Sequence, residues 1–359
     1  MMTQPDAAVV AACTSFFTDG DFVGVAPFER GHIHDTFVSG WRHEGGETRY
    51  LHQRMNREVF RDVAGLMRNV ELVTGHLAAA GQADGFRPLE LIRARDGASW
   101  VESAGECWRT FRFIEGTVSC DVCRDTDMAY DAARAFGRFQ RRLGGLDAAS
   151  LTETIPQFFS APHRLAQLQK AISADVAGRC DHATAQIDFV SDRVGTVPVM
   201  EDLVEAGDIP VRVVHGDTKL NNVLFDVETG AAVSVVDLDT CMPGWSLYDF
   251  GDLVRFTAAT SAEDEPDASR AGTDLALYQA LARGYLDATS DMLSPRERAL
   301  MPFAAQLVTL TIGMRFLADY LNGDVYFKTT REHHNLERAR VQLAMVEFME
   351  QNEREMLLT

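Results

Sequence analysis

The sequence predicts an α+β fold of two unequal lobes: a small antiparallel sheet with one helix over residues 1–116, and a larger, mainly helical lobe over residues 117–359. Three observations favour this fold class. Apolar segments separated by glycine-containing turns fill the first part of the chain, apolar residues at helical spacing dominate the rest, and one short β insertion interrupts those helices. A chain of this length can form two domains, and the cleft between them is the expected place for a ligand.

The small lobe is predicted to contain four strands and one helix. The strands are rich in β-branched and aromatic residues and are bounded by glycines, among them Gly116 after the last strand. Between residues 59 and 80 apolar residues recur every three or four positions, which predicts a helix, and Gly81 is suited to end it. The predicted strands are residues 35–38, 48–51, 99–102 and 108–113.

The larger lobe is predicted to be helical apart from the β insertion. One helix is expected over residues 129–143, whose apolar residues share a face. Ser294 and Glu297 form a capping box with Pro295 at the first helical position, so another helix is expected from there through Leu321. The predicted strands of the insertion are residues 211–214, 223–225 and 233–236.

The composition excludes several classes of function. The chain has 53 acidic and 34 basic side chains, a net charge of −19, which disfavours binding to nucleic acid or to an anionic membrane. No apolar run approaches the roughly 18 residues that cross a bilayer. The N-terminal segment is acidic, unlike a secretory signal, and the six cysteines are dispersed. We therefore expect a cytoplasmic protein that acts on small molecules, as a monomer or a weak homo-oligomer.

The residues with chemical potential lie in the β insertion. HGDTKLNN, residues 215–222, follows a predicted strand, and Asp237 ends the hairpin behind it. Asp217 and Asn222 have the spacing of the aspartate and asparagine in the kinase catalytic loop, and Asp237 follows as the aspartate of the kinase DFG motif does. We predict Asp217 as the base that orients a hydroxyl and accepts its proton, with Asn222 and Asp237 as oxygen ligands of Mg²⁺.

These motifs, with YDFGDLVRF at residues 248–256, resemble the aminoglycoside phosphotransferase/choline kinase superfamily, which has a two-lobed, protein-kinase-like fold. The likeness is closer to the bacterial N-acetylhexosamine 1-kinases and spans nearly the whole chain. It implies a kinase that uses ATP and Mg²⁺ to phosphorylate the anomeric C1 hydroxyl of N-acetylglucosamine or N-acetylgalactosamine. The segments that carry the closer likeness are GHIHDTF (31–37), LHQRMN (51–56), MRNVELVT (67–74), FRFIEGTVS (111–119), SLTETIPQFF (150–159), DLDTCMPGWSLYDFGDLVRF (237–256) and GMRFLADYLNGDVYF (313–327).

The resemblance also implies residues that bind the nucleotide. Gly31 lies where a phosphate-covering loop is expected, and Gln53 lies where kinases have their phosphate-binding lysine. Glu71 takes the place of the glutamate that pairs with that lysine. Glu115 lies in a hinge whose backbone would hold adenine, although an ordinary edge strand is an alternative there. The first 169 residues contain no lysine, so Gln53 would bind phosphate without adding charge and leave more of the neutralisation to Mg²⁺.

On the acceptor side, the resemblance implies that Arg315 and Tyr326 contact the sugar and that His32 approaches it from the small lobe. Read from the residues alone, Arg315 could instead form an i,i+4 salt bridge with Asp319. Asp239 has three interpretations: support of a metal ligand, contact with a sugar hydroxyl, or a solvated strand end.

Two further residues near the motif are expected to be structural. In a kinase-like fold His215 would support the catalytic loop by packing and hydrogen bonding. Asp249 would cap the helix that follows or brace the same loop.

Two other functions are compatible with these residues. The chain could be another small-molecule kinase of the same superfamily, acting on an aminoglycoside, choline, ethanolamine or another sugar. The missing lysine also allows a nucleotide-binding pseudokinase. Intact Asp217, Asn222 and Asp237 argue against that reading, because a protein that only binds nucleotide needs no base.

Overall fold

The computed structural model describes residues 6–29, 33–81 and 84–357. Its N-terminal part is built on a six-stranded antiparallel sheet. The strands are β1 (Asp21–Pro27), β2 (Asp35–His43), β3 (Gly46–Arg54), β4 (Leu91–Ile92), β5 (Val101–Ser103) and β6 (Glu106–Arg112). Their order is β1-β2-β3-β6-β4, with β5 also paired to β6. The four predicted strands are confirmed as β2, β3, β5 and β6, whereas β1 and β4 were not predicted.

Two helices pack on opposite faces of this sheet. Helix α1 (Ala7–Cys13) forms a small core with Tyr50 and Trp108. Helix α2 (Val63–Ala79) belongs to the main core of the molecule, together with Phe111. Successive residues of a strand point to opposite faces, which is why Trp108 and Phe111, three positions apart on β6, serve different cores.

Helix α2 begins four residues later than the pattern predicted, because its N-terminal cap is Asp62 rather than a residue near position 59. The Gly65 N–H donates a hydrogen bond to the Asp62 carboxylate at 2.8 Å. A Cβ at Gly65 would lie 2.3 Å from that carboxylate, so glycine keeps the cap accessible. The helix ends at Ala79, and Gly81 follows with φ +73°, as expected for a residue after a helix C-terminus.

The rest of the chain is mainly helical, which confirms the predicted fold class. Its helices are α3 (Thr126–Arg142), α4 (Ala161–Ala174), α5 (Thr184–Ser191), α6 (Val199–Glu205), α7 (Leu247–Thr257), α8 (Leu275–Thr289), α9 (Pro295–Ala299), α10 (Met301–Leu321), α11 (His334–Gln351) and α12 (Glu353–Met356). α10 packs against α4, α7 and α11 at the centre of this lobe.

Helix α10 corrects the expectation that no apolar run could cross a bilayer. Among the described residues, it is long and apolar enough to do so by length and composition, with a mean hydropathy of 1.3. However, 83 % of the window that passes this test is buried inside the fold. The apolar character of α10 is therefore accounted for by its packing at the centre of the helical lobe.

The helix expected from Ser294 through Leu321 is divided in two. The capping box is present, with the Glu297 N–H donating to Ser294 Oγ at 3.2 Å and the Ser294 N–H donating to Glu297 Oε2 at 2.8 Å. Leu300 (φ −91°, ψ 0°) is the C-terminal cap of α9 and the N-terminal cap of α10, and Pro302 occupies the first turn of α10. A proline is tolerated in a first turn but breaks a helix interior, which explains the division.

The β insertion forms two small sheets rather than one. They contain β7 (Thr117–Val118), β8 (Arg212–Val214), β9 (Val223–Asp226), β10 (Ala232–Val235) and β11 (Met242–Gly244). β9 pairs with β10 and β7, and β8 pairs with β11. The three predicted strands are confirmed as β8, β9 and β10. The division of the chain at residue 116 stays a prediction.

Candidate active site

Short strands bring the predicted metal ligands together. β8 leads into the loop of residues 215–222, and the β9–β10 hairpin returns the chain to that loop. The Val236 N–H donates a hydrogen bond to the Asn222 carbonyl oxygen at 2.9 Å. Asn222 and Asp237 therefore lie side by side, on segments fixed to each other by backbone pairing.

Helix α7 braces the loop of residues 215–222. The N–H groups of His215 and Gly216 each donate to the Asp249 carboxylate at 2.8 Å, and the Thr218 N–H donates to Asp252 at 2.9 Å. Burial raises the pKa of both carboxyl groups. Two buried acids thus hold three backbone N–H groups of the loop, and the bracing role expected for Asp249 is the one observed.

The His215 ring is a structural part of the loop. It lies against the rings of Phe136 and Phe139, with centroid distances of 5.3 and 5.4 Å. Its Nδ1 accepts a hydrogen bond from the Asp217 N–H at 3.3 Å, so its proton is on Nε2, which donates to the Val236 carbonyl oxygen at 2.9 Å. The ring thereby joins the loop to the β9–β10 hairpin.

The Asp217 carboxylate has two donors beside it. Lys219 Nζ lies 2.7 Å from Asp217 Oδ2, and Asn222 Nδ2 donates to the same oxygen at 3.2 Å. Burial alone would lower the pKa of Lys219, but the Asp217 carboxylate outweighs it and raises that pKa. Because the Asn222 amide nitrogen faces Asp217, its amide oxygen is turned away and is available as a ligand. Sequence reasoning did not include Lys219, although its position two residues after the base could have suggested a pairing.

The negative charge of the Asp237 carboxylate is poorly compensated by neighbouring donors and cations. Burial raises its pKa to about 6, and the nearby Asp239 and Asp217 carboxylates contribute to the rise. Within the described ranges no hydrogen-bond donor is assigned to it. Its backbone is left-handed (φ 64°), an unfavourable conformation for a non-glycine residue. An acid held in this way, with unsatisfied oxygens in a cavity wall, suits a bound cation.

Asn222 and Asp237 suit a Mg²⁺ ion that keeps water and phosphate ligands better than a metal ion whose ligands all come from the protein. In the part of the chain that the structure describes, no group of three histidine, cysteine, aspartate or glutamate side chains could hold a metal ion. Mg²⁺ usually takes only one or two carboxylates and completes its coordination with water and substrate phosphates. Asn222 and Asp237 supply such a partial set.

A cavity of about 330 Å³ opens next to these two side chains. Gln53 and Arg109 are hydrogen-bonded to each other, and the charge of Arg109 acts on Asp237. These three residues and Asn222 form what we call the polar end of the cavity. Thr36, Arg112, Thr117, Ser119 and Asn221 also line the cavity, and its apolar lining residues are Phe28, Leu51, Leu89, Phe111, Phe113, Ile114, Val118, Leu224, Val236 and Leu238. The cavity thus combines apolar surface, which an adenine-type base requires, with polar groups at the predicted metal ligands.

The residues predicted to bind nucleotide do not all lie in this cavity. Gln53 lines it. Glu115 forms an ion pair with Arg49 at the surface, while its neighbours Phe113 and Ile114 line the cavity. Glu71 lies elsewhere. Its carboxylate pairs with Arg93 beside a separate pocket, and Glu71 is not among the residues that line the cavity.

Gly31 and His32 lie outside the described residues. The predicted roles of Gly31 in the phosphate-covering loop and of His32 near the sugar therefore stay predictions.

Asp239 belongs to an ion cluster that sequence reasoning missed. Its carboxylate accepts from both Nη atoms of Arg109, with Nη2 at 2.8 Å, and lies 2.5 Å from His34 Nε2. Arg109 and His34 hold the pKa of Asp239 well below its usual range, although burial alone would raise it. Asp239 is 2 % exposed, so the interpretation as a solvated strand end is wrong. Both its oxygens are engaged by Arg109 and His34, which is an arrangement for joining the lobes rather than for contacting a sugar.

The sequence contains a pattern from which the buried position of Arg109 could have been predicted. Arg109 is flanked along β6 by Cys107 and Phe111, which lie on the same strand face and are buried. A strand position between two core residues predicts a buried guanidinium, and such a group requires a buried acid as its partner.

On the acceptor side, the proposed salt bridge between Arg315 and Asp319 is not formed. The Asp319 carboxylate accepts the N–H groups of Val325, Tyr326 and Phe327 at 3.0, 2.8 and 2.9 Å, and so fixes the loop that carries Tyr326. The Arg315 guanidinium lies 5.8 Å from the centre of the Tyr326 ring and 5.5 Å from that of Phe327. Arg315 and Tyr326 are thus neighbours.

A second arginine, Arg164, lies near Arg315 and was not predicted. Burial lowers its pKa to about 10, and the positive charge of Arg315 contributes. The Phe158 ring lies 5.6 Å from the Arg315 guanidinium and stacks edge-on with Phe159. A Cβ at Gly216 would lie 2.7 Å from the Phe159 ring, so this aromatic wall reaches the residue that precedes Asp217.

Comparison with known proteins agrees with this geometry. The chain is similar in structure to an aminoglycoside phosphotransferase from Alicyclobacillus acidocaldarius (TM-score 0.64, 11 % identity, 98 % of each chain) and to choline kinase from Cryptosporidium parvum (TM-score 0.60, 14 % identity, 98 % of each chain). It is also similar to aminoglycoside 2′-phosphotransferase-IIIa in its GDP complex (TM-score 0.59, 15 % identity, 95 % of this chain and 99 % of that one). These likenesses show the protein-kinase-like fold. A sequence model of the phosphotransferase enzyme family (APH) matches residues 24–293, most of the chain, and the protein therefore belongs to that family.

Proposed function

We propose that this protein is an ATP- and Mg²⁺-dependent kinase that phosphorylates the anomeric C1 hydroxyl of an N-acetylhexosamine. The observation that carries the kinase assignment is that Asn222 and Asp237 line a nucleotide-sized cavity and that the Asp217 carboxylate is hydrogen-bonded to Asn222. The acceptor assignment rests on the segments that resemble N-acetylhexosamine 1-kinases and on the charge of the acceptor side.

In the proposed reaction Asp217 binds the acceptor hydroxyl and takes its proton as the oxygen attacks the γ-phosphorus of ATP. The bond between the γ-phosphorus and the β,γ-bridging oxygen breaks in the same step, and ADP leaves. Lys219 and Asn222 hold the Asp217 carboxylate in one orientation. Asn222 and Asp237 would hold Mg²⁺, which supplies stabilisation of the charge on the phosphate oxygens. Asp249 and Asp252 keep the loop rigid, so little reorganisation is needed when the substrates bind.

The acceptor side favours a neutral sugar over a cationic amine. Arg164 and Arg315 lie close together. Arg164 donates to the neutral Gln167 side chain and the Phe158 carbonyl oxygen, and neither arginine forms an ion pair with an acid of the described residues. Two such guanidinium groups would repel the ammonium groups of choline or of an aminoglycoside. A hexosamine with an acetylated nitrogen carries no charge, and its hydroxyls and amide can accept hydrogen bonds from arginine. The aromatic rings of Tyr326 and Phe158 would border the sugar.

We further propose that the protein acts in the cytoplasm on soluble substrates. This rests on the acidic net charge and on six cysteines that are all free. The small lobe, residues 1–116, would contribute most of the nucleotide cavity, and the larger lobe the base, the metal ligands and the acceptor side.

The test is Mg²⁺-dependent release of ADP from ATP with N-acetylglucosamine, N-acetylgalactosamine, choline or kanamycin as acceptor. We expect turnover with one or both sugars and none with the two cations. Asp217→Asn should lower kcat by about 10²–10⁴-fold, the usual contribution of a positioned base, and change ADP affinity only a few-fold. Asp192→Asn, at an exposed position of the helical lobe, is the matched control.

The possible outcomes separate the two halves of the proposal. Turnover of choline or kanamycin, but of neither sugar, would reject the proposed acceptor and leave the assignment as a kinase intact. Near-normal turnover by Asp217→Asn would reject the base. No turnover with any acceptor, together with tight nucleotide binding, would favour the pseudokinase.

A further inference from the structure

The polar end of the nucleotide cavity lacks the lysine that kinases use at this place. A protein kinase binds the ATP phosphates with a lysine from its small lobe, in addition to metal ions. Here the first 169 residues contain no lysine, and the side chain at the corresponding position is the neutral Gln53. Either the small lobe supplies no positive charge to this end, or a residue other than lysine supplies it.

Arg109 lies on β6, the strand next to β3, directly opposite Gln53. Arg109 Nε donates to Gln53 Oε1 at 2.9 Å. Both residues line the cavity, and the Arg109 side chain is 2 % exposed. Arg112 also lines it, but its guanidinium is held by Glu90 at 2.7 Å. Arg109 is therefore the small-lobe cation that lies next to the position where lysine is missing.

In the cluster of Arg109, Asp239 and His34, the positive and negative groups lie at different distances from the cavity. Arg109 lines the cavity, whereas its partners Asp239 and His34 do not, so the positive end of the cluster faces the cavity and the negative end lies behind it. His34 Nδ1 accepts the N–H of Asn56 at 3.0 Å, which places its proton on Nε2, facing Asp239.

Stability alone does not account for this arrangement. A buried ion pair often stabilises a protein no better than apolar side chains of similar volume would. This pair joins β6 of the small lobe to the turn that carries Asp237, two residues before Asp239, and it lies beside the phosphate end of the cavity. Three of the five guanidinium N–H groups of Arg109 donate to Gln53 and Asp239, and the other two have no acceptor assigned among the described residues.

We propose that Arg109 replaces the missing lysine. While it is paired with Asp239, its guanidinium contributes positive charge to the site of the nucleotide phosphates. The same ion pair holds the turn that carries Asp237 against the small lobe. The inference rests on the proposed function only in that the cavity binds a magnesium nucleotide. It makes Arg109 a nucleotide-binding and positioning residue and assigns Asp239 to its support.

The test is calorimetric titration with Mg·ADP, without any acceptor. Because Arg109→Met alone would leave Asp239 buried without its partner, the decisive variant is Arg109→Met combined with Asp239→Asn, which removes both charges together. We expect it to fold and to bind Mg·ADP at least tenfold more weakly than the parent. Arg109→Lys should recover part of that affinity. Arg42→Met, an exposed position in the same sheet, should stay within twofold of the parent.

The kinetic counterpart is a selective rise in the KM for ATP, with the KM for the acceptor unchanged within twofold. A merely structural ion pair would give a double variant with parental Mg·ADP affinity, and that result would overturn the inference while leaving the proposed function intact. If the parent protein itself bound no magnesium nucleotide, the proposed function and the inference would both fall.

Discussion

The aspartates around the catalytic loop differ in chemistry because their surroundings differ. Asp239 faces Arg109 and His34, so its charged form is stabilised. Asp249 has the opposite shift, because burial outweighs the hydrogen bonds that it accepts. Asp237 has the least compensation, with two like charges near it. Asp237 is therefore the carboxylate that gains most from a bound cation.

This environment predicts that Asp237 destabilises the metal-free protein. Its pKa of about 6 in the folded chain lies above the ordinary value of 3.8, so the folded chain binds this proton more tightly than the unfolded chain does. Its contribution to stability must then fall as pH rises from about 4 to 6. Asp237→Asn should be more stable than the parent by about 1–2 kcal/mol above pH 6, after allowance for partial exposure, and equal to it near pH 4.

Urea unfolding at several pH values, with EDTA and without nucleotide, measures this difference. The same variant should lose Mg²⁺-dependent nucleotide binding, since the carboxylate is a proposed ligand. A gain in stability that did not depend on pH would contradict the assigned cause. Asp192→Asn should show no pH-dependent difference from the parent.

Which site residues could be predicted depended on how local their signal is. Asp217 and Asn222 share one loop and a fixed spacing, so they could be identified together without the fold. The Arg109–Asp239 pair joins positions 130 residues apart, and only the tertiary structure brings them together. Arg164 likewise depends on what packs beside it, whereas Lys219 pairs with Asp217 only two residues away and had a local signal. Glu71 was expected to face the cavity, but its helix turns it toward Arg93 instead.

At the scale of elements, α3 and α8 approach closely through a glycine on each helix. A Cβ at Gly284 would lie 2.1 Å from the Tyr130 carbonyl oxygen, and a Cβ at Gly137 would lie 2.7 Å from the Cβ of Ala288. Neither helix can move away freely, because α8 also packs on α7 and α3 packs on β10. These glycines therefore set the distance between the two helices.

We expect Gly284→Ala to destabilise the protein by about 1–3 kcal/mol or more, because the added methyl group must push the α3 backbone aside. Gly75→Ala is the matched control. Gly75 lies in α2, where a Cβ would meet nothing within 4 Å, so the substitution should stabilise the protein by about 0.5–1 kcal/mol. Urea midpoints measure both effects. A neutral result for Gly284→Ala would mean that the two helices can separate at little cost.

The elements that could be predicted are those with a complete local pattern. α2 has a continuous apolar stripe, and the start of α9 has a capping box, and both were predicted close to their observed positions. β1 and β4 have no such pattern: β1 contains Gly24 at an irregular register, and β4 has only two residues. Their strand conformation depends on pairing with β2 and β6, which a local pattern does not reveal.

At the scale of the whole molecule, the two lobes share one core. The buried face of α2, in the small lobe, belongs to the same apolar cluster as α3, α7 and α10. Asn69 of α2 is 1 % exposed. Its side chain donates to the carbonyl oxygens of Thr152 and Cys241 at 2.7 and 3.1 Å and accepts the Thr152 N–H at 2.8 Å. The segments before and after residue 116 therefore share one apolar core, and the division of the chain there stays a prediction.

This continuity predicts that the lobes unfold together. Scanning calorimetry of the metal-free protein should show one transition, with equal calorimetric and van't Hoff enthalpies. A fragment of residues 117–359 should not reach the native fold, because removing α2 exposes the apolar side chains that it covers and leaves the Thr152 N–H without its acceptor. Asn69→Ala should lower the single transition temperature without dividing it. Two separable transitions, or a cooperatively folded fragment, would show that the lobes are independent domains.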